Sequence, residues 1–328
     1  MTTRHEPAPP GSTVFVSGQA TRAAEGAAPA DVAAADVEVA LESLGQWQLA
    51  WRRFKRHRMA LLGLGFLALM IIMAIVGPIV WPYNPLVIPG VSGANPGGEP
   101  PSLVHLMGTD NNGRDVFQMV VNGSRISLII GIGAMIIAGV VGVAVGTISG
   151  YFGGWIDNVL MRIVDTFFAI PLLFVILVAA RFFGQGSVIA LVIIFGLLSW
   201  ALVARLLRAQ FLSLREVDFV EAARAVGVSD LRIAFRDILP NAIGPVIVVL
   251  TLLAASNIVL EAFVSYLGFG ISEEQISWGN ALAQSQNFLI YGNWWWAFFP
   301  GIAIALTVIA INFVGDGMRD ALDPRTRL

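Results

Sequence analysis

The 328-residue sequence contains no cysteine, a single lysine and three histidines, and only 13% of its residues are charged. Without cysteine, disulfides and thiolate chemistry are excluded. The lysine is Lys55, in RRFKRHR, with no glycines before it at the spacing of Gly-x-x-x-x-Gly-Lys-Ser/Thr. A P-loop holds phosphates with that lysine and glycine-borne backbone amides, so this chain does not bind nucleotide by that route. His5, His57 and His105 all lie outside the long apolar stretches. An HExxH metal helix or a Ser–His pair within those stretches is therefore excluded. Soluble domains carry about a quarter charged residues. The deficit here, with 56% apolar residues and a mean hydropathy of +0.75, marks a chain built for lipid. A net charge of −2 gives no reason to expect nucleic acid as a partner.

Residues 1–35 are Ala, Pro, Gly, Ser and Thr with scattered charges. Such a segment buries too little apolar surface to offset its ordering entropy and reads as a disordered tail. Over 36–58, Val37, Leu41, Leu44, Gln48 and Trp51 fall at helical spacing, followed by the basic run Arg52 to Arg58. This is an amphipathic juxtamembrane helix suited to the membrane surface, or else a charged stem without a distinct role. Six stretches then reach the roughly 20 residues needed to cross a bilayer: 59–80, 126–149, 157–181, 187–208, 242–264 and 295–315. The first follows a long polar tail and reads as a membrane anchor, not a cleaved signal peptide.

The five basic residues before the first span place the N-terminus on the cytoplasmic side. Six crossings return the C-terminus, with Arg319, Arg325 and Arg327, to the same side. The segment between spans four and five carries Arg205, Arg208, Arg215, Arg224, Arg232 and Arg236 and also falls inside. On the outer side, residues 81–125 are rich in Pro and Gly, which predicts an irregular, solvent-facing loop. Trp294, Trp295 and Trp296 read as an interfacial belt opening the last span, with contact to a transported solute as the alternative. Gly142, Gly146 and Gly150 in span two recur every four residues and predict a smooth face for a close neighbouring helix.

The charged segment DFVEAARAVGVSDLRIAFRDILPN, residues 218–241, interrupts this apolar sequence. Residues 216–226 form a good helical run, with Asp218 and Glu221 favourably placed against the helix dipole. Gly227 supplies the left-handed residue that stops it. Ser229 is placed to cap a second short helix from Asp230 to Ile238, ended by Pro240 and Asn241. Ala222 and Ala223 are small enough to admit a close surface, and Phe219, Val220 and Phe235 offer apolar anchors. These residues describe either a pair of solvated surface helices or a docking element.

Ionisable groups in or near the spans are costly in lipid and often functional. Arg162 and Asp165, three apart, are expected to pair with each other. Glu261 and Asn257, near the outer end of span five, either line a pathway or gate or hydrogen-bond a neighbouring helix. A secondary transporter would show paired broken helices, an internal repeat or midplane charges; none of these stands out.

EAARAVGVSDLRIAFRDILPN resembles the cytoplasmic loop signature of the permease subunits of bacterial ABC importers, matched at Glu221, Ala222, Ala223, Gly227, Leu239 and Pro240. Asp237 departs from it, where relatives often carry histidine. LGQWQLAWRRFKRHRMALLGL, HLMGTDNNGRDVFQMVVNGSRISLIIGI, LEAFVSYLGFGI and NFVGDGMRDALDPRTRL are similar to the C-type permease of dipeptide, oligopeptide and nickel importers. The resemblance covers nearly all of the chain after residue 44. It implies an all-α polytopic membrane protein with six transmembrane helices of the type I importer fold, in the bacterial inner membrane. It further implies a non-catalytic subunit importing di- or oligopeptides, with nickel or another small solute as the alternative. The six matched residues would dock on a separate ATP-binding subunit, Glu221 through polar contacts, the alanines by close packing and Gly227 by setting the turn. The expected partners are a second homologous permease chain, two ATP-binding subunits and an external substrate-binding protein. ATP and magnesium would be bound by those subunits, leaving this chain without a cofactor or metal.

Overall fold

Apolar side chains in lipid leave the backbone no solvent to bond with, so a membrane chain must satisfy its amides internally, as helices do. The computed structural model describes residues 46–83, 98–182, 186–272 and 275–322. Within them the chain is all-α, and the only β pairing is two isolated bridges, Thr109 with Asp115 and Gly186 with Ile271. The expected tail at 1–35, the start of the juxtamembrane helix, Glu273 and Glu274, and Arg325 and Arg327 lie outside the described residues.

Helix α1 (Gln46–Phe54) buries Ala50 and Phe54 and leaves Trp51 exposed. His57 caps the next helix, α2 (Arg58–Val80), by accepting the Ala60 N–H at 3.0 Å. The longest helix, α3 (Val116–Phe152), has 37 residues. At 1.5 Å per residue it is about 55 Å long, well beyond the ~30 Å hydrocarbon core. It begins ten residues before the expected start of span two. Asp115 supplies its N-cap, accepting the Phe117 N–H at 2.7 Å. The expected irregular, solvent-facing loop holds for residues 99–106, which are mostly exposed, but the segment turns inward at Gly108, Thr109 and Asp110, which are buried.

The spacing of glycines in α3 is explained by α6 (Val188–Leu214), which lies along it. A Cβ on Gly142 would come within 2.5 Å of Val203, and one on Gly146 within 2.7 Å of the Ala204 carbonyl oxygen. Only the absence of a side chain admits α6 at this distance.

The stretch expected as the third span, 157–181, is bent at a break. Helix α4 (Gly154–Ala169) ends at Ile170, and α5 (Leu172–Phe182) follows Pro171. The two pieces bend by 86°. Pro171 removes one amide donor and disfavours helical geometry at the residue before it, so an apolar run cannot continue straight through it. Among the described residues five helices are individually long and apolar enough to cross a membrane, and the count is six with the bent pair taken as one span. On α4, Asp165 does not pair with Arg162. It accepts from Arg205 of α6 at 2.5 Å, and the Arg205 guanidinium also lies 4.2 Å from the Phe168 ring centre. The inter-helix partner offers two contacts where Arg162 would offer one.

Helix α7 (Asp218–Ala225) and a helical turn α8 (Asp230–Arg232) precede a π-helical turn at Ile233–Ile238 and then α9 (Leu239–Tyr266). The expected second short helix does not end at Pro240 and Asn241. Helix runs without interruption from Asp230 to Tyr266. Pro240 lacks the amide that an α-helix would use and its ring crowds the carbonyl four residues back. The wider π turn just before it accommodates both problems while the helix continues. Ser229 occupies the N-cap position, but its side chain makes no capping hydrogen bond.

A short helix, α10 (Trp278–Ser285), and a long final one, α11 (Trp294–Leu322), complete the bundle. The tryptophan triplet is not a uniform belt. Trp294 is 54% exposed, whereas Trp295 and Trp296 are buried. The Trp295 indole N–H donates to the Thr109 carbonyl at 3.0 Å, so this ring holds the 98–115 segment and does not face the membrane surface.

Candidate functional site

Two polar assemblies occupy opposite ends of α3. The first is built on α7. Its C-terminus is a complete Schellman motif: the Gly227 N–H bonds the Arg224 carbonyl at 2.9 Å, and the Val228 N–H bonds the Ala223 carbonyl at 3.1 Å. Gly227 has φ +79°, the left-handed conformation that this motif demands and that glycine adopts without Cβ strain. Space around its Cα is open, so backbone conformation alone selects glycine there.

What ties α7 to the bundle is apolar. Val220 is fully buried among Tyr151 of α3, Leu207 and Phe211 of α6, and Ile233, Ile238 and Ala242 of the π turn and α9. Burial of one valine contributes about 1.5–3 kcal/mol. Polar contacts add direction. The Tyr151 hydroxyl donates to Asp230 Oδ1 at 2.6 Å, and the Arg224 guanidinium sits 5.6 Å from the Tyr151 ring centre. Nearby, Arg208 of α6 makes two 2.5 Å hydrogen bonds to the Asp157 carboxylate of α4, which also accepts from Ser149 of α3. The ends of α3, α4, α6, α7 and α9 thus form one connected block.

The six residues singled out in the sequence separate into two sets. Glu221, Ala222, Gly227 and Pro240 face outward, while Ala223 and Leu239 are half-buried and pack against the Val220 cluster. Ala223 is therefore a packing residue of the motif and Ala222 the small residue of the free face. Around them stand Val226, 82% exposed, and Leu231, 60% exposed, with Phe219 and Phe235 partly exposed. A groove of about 610 Å³ runs between α7 and the π turn, lined among others by Phe219, Val228, Arg232, Arg236 and Asp237. Exposed apolar side chains ringed by both signs of charge make a surface suited to a protein partner.

The second assembly lies where α3 begins. Asp110, buried at the head of a turn, accepts backbone N–H bonds from Asn112 at 2.9 Å and Arg114 at 2.7 Å. The Arg114 side chain bonds Asp110 at 2.5 Å, the Tyr83 hydroxyl at 3.1 Å and Gln284 of α10 at 2.9 Å. Burial pushes the Asp110 carboxyl above its ordinary range, against the Arg114 charge and those N–H bonds, which pull it down. Deeper in, Glu261 of α9 is wholly buried. It accepts hydroxyl bonds from Ser265 at 2.7 Å, Ser277 at 2.6 Å and Ser127 at 3.3 Å. Asn257, one turn away on α9, is buried too, and its amide nitrogen has no partner among the described groups.

Sequence reasoning did not find Tyr151, Asp230, Asp157 or Arg208. The Tyr151 and Asp230 partners lie 79 residues apart and the Asp157 and Arg208 partners 51, beyond any local periodicity. The only signal was the density of aspartates and arginines near the predicted span ends. No cluster of side chains capable of holding a metal occurs among the described residues.

Comparison with known proteins extends these features. The family described as binding-protein-dependent transport system inner membrane component matches residues 142–328. The N-terminal transmembrane domain of oligopeptide transport permease C matches residues 45–91. The chain is 38% identical over 287 residues to the dipeptide transport system permease protein DppC of Bacillus subtilis, covering 87% of this chain and 88% of that protein. It is 36% identical over 300 residues to the oligopeptide transport system permease protein OppC of the same organism, covering 91% and 96%. A putative peptide permease protein of Brucella suis is 39% identical over 290 residues, covering 87% and 93%.

Proposed function

The chain belongs to the family of binding-protein-dependent transport system inner membrane components, and we propose that it serves as the permease subunit of an ATP-driven peptide importer. In this reading it forms half of a translocation pathway with a second, homologous permease chain. ATP and magnesium are held by two ATP-binding subunits, and an external binding protein delivers the peptide. Both termini and α7 lie in the cytoplasm of a bacterial cell, and the α10 end faces outward.

The single observation that carries this reading is the outward face of α7. Glu221 and Ala222 are exposed, yet the helix that bears them is locked to α3, α6 and α9 through Val220 and the Schellman turn. A partner that grips α7 moves the ends of three membrane helices with it. Such a partner drives transport only if its contacts differ between its own two states, because equal affinity for both states shifts nothing. Nucleotide-driven closure of paired ATP-binding subunits supplies that difference, and this chain, lacking a P-loop, takes the energy from outside itself. The Asp157–Arg208 clasp then joins α4 to the moving block.

A peptide cargo rests on the relatives' names, and a nickel or other small-solute cargo is the competing reading. Deleting the gene and restoring it on a plasmid separates the two. Uptake of labelled di- and tetrapeptides is expected to fall to background in the deletion strain and return with the plasmid, with nickel accumulation unchanged. Loss of nickel accumulation with peptide uptake intact would replace the cargo assignment while keeping the permease.

A further inference from the structure

Glu261 is a wholly buried carboxyl, and no ion pair reaches it among the described residues. A carboxyl in that position is tolerated only where hydrogen-bond donors replace water. Its donors are three serines, and two of those serines already perform another task. Ser277 is the N-cap of α10 and accepts the Asn280 N–H at 3.0 Å. Ser127 of α3 accepts the Trp278 N–H, the first amide of α10, at 3.2 Å. Both serines that receive the free amides of α10 thus donate their own protons to Glu261. The carboxyl also faces the positive end of that helix dipole.

Close packing also holds α10 in place. The Trp278 indole is fully buried and donates to the Val120 carbonyl at 2.8 Å. A Cβ on Gly123 would come within 2.9 Å of that ring, and one on Gly279 would overlap Ala262 of α9. The fit is close, but an eight-residue helix is too short to hold itself together in isolation. Packing places α10, and the serine–carboxyl network fixes its start.

We propose that Glu261 is a positioning residue that clamps α10 onto α3 and α9, so that the α10 end of the bundle moves as one piece and does not absorb motion delivered at α7. Val120 and Tyr151, which mark the two ends of this transmission, are 31 residues apart on α3, about 46 Å along its axis. A loose α10 at the far end would let α3 move without carrying the α10 end of the bundle. Glu261 acts here through Ser127 and Ser277, not through contact with cargo. The inference rests on the permease reading for its transport consequence only.

The chain has no cysteine, so Ser285→Cys places a single, nearly isosteric thiol in α10 at a position 1% exposed and outside the Glu261 network. Labelling of this chain by a water-soluble maleimide is measured in membranes containing the assembled transporter, with chain abundance determined in parallel. The thiol is expected to stay protected in the otherwise unaltered chain. With Glu261→Gln it should remain within about twofold of that level, because the amide oxygen still accepts from Ser265 and Ser277. With Glu261→Ala labelling should rise about tenfold or more, as local opening becomes easier. Uptake per ATP hydrolysed should fall in the same variant. If Glu261→Ala does not accumulate, Ser127→Ala with Ser277→Ala removes the same clamp from the other side and should give the same rise. Unchanged protection in the alanine variants would overturn the proposal, as would equal labelling of the Gln and Ala variants. Protection is read without transport, so failure of the permease assignment would abolish the uptake difference and leave the labelling pattern intact.

Discussion

Glu221→Lys is expected to cut substrate uptake by about tenfold or more while leaving the amount of chain in the membrane unchanged. Glu221 is exposed on α7, and no hydrogen bond or ion pair holds its side chain within the described structure. The fold therefore has little to lose. Reversal of a surface charge away from buried features usually costs within about 0.5 kcal/mol, and the loss of a first-turn carboxylate against the helix dipole adds about 0.3–1 kcal/mol. An interface that uses the charge loses more, since disrupting a desolvated charge contact costs about 2–5 kcal/mol. The two roles thus separate by measurement: membrane abundance reports the fold, and co-purification of the ATP-binding subunits reports docking. Wild-type uptake with normal co-purification would remove Glu221 from the docking surface.

Gly227 offers a test of the opposite kind, in which backbone and not side chain decides. Its φ of +79° lies in the left-handed region, and a Cβ there meets no other atom. A substitution therefore acts through backbone strain alone. Asparagine visits this region readily, alanine at a cost of about 1–2 kcal/mol, and a β-branched residue at more. Uptake is expected to follow that order, with Gly227→Asn near normal, Gly227→Ala reduced several-fold and Gly227→Val near background. Valine breaks the two Schellman hydrogen bonds that aim α7 relative to α8, so the Glu221 face turns away from its partner. Equal uptake by the Asn and Val variants would show that the turn conformation is irrelevant to transport.

The parts of this architecture that were legible in the sequence are local ones. Glycine directly after a run of helix formers announces a helix stop, and the turn at Gly227 has the predicted left-handed form. The four-residue glycine spacing in α3 likewise announced the close helix that proves to be α6. Proline was harder to read because its outcome depends on what precedes it. Pro171 lies in an apolar run whose hydropathy alone suggests one span, yet it breaks the helix. Pro240 looks like a terminator, yet the π turn before it lets the helix continue into α9. The carboxylates show the same divide. Ser265 is four residues from Glu261 and within reach of helical reasoning, whereas Ser127 is 134 residues away and no periodicity connects them. Asp165 was assigned a partner on its own helix because local spacing is all that a sequence displays, and the folded chain gave it Arg205, 40 residues on.

The docking of α7 is tested most directly by proximity. Ala222→Cys puts one thiol on the exposed face beside Glu221, in a chain with no other. In membranes containing the assembled transporter, a short bifunctional thiol reagent applied to this variant should link it to an ATP-binding subunit carrying a surface cysteine, with a yield that changes when nucleotide is added. The same reagent should give no such product from Leu103→Cys, which is 97% exposed on the 98–115 segment beside the opposite end of α3. A link from Leu103→Cys and none from Ala222→Cys, with both chains at normal abundance, would contradict the coupling role of α7 and reverse the orientation proposed for the whole chain.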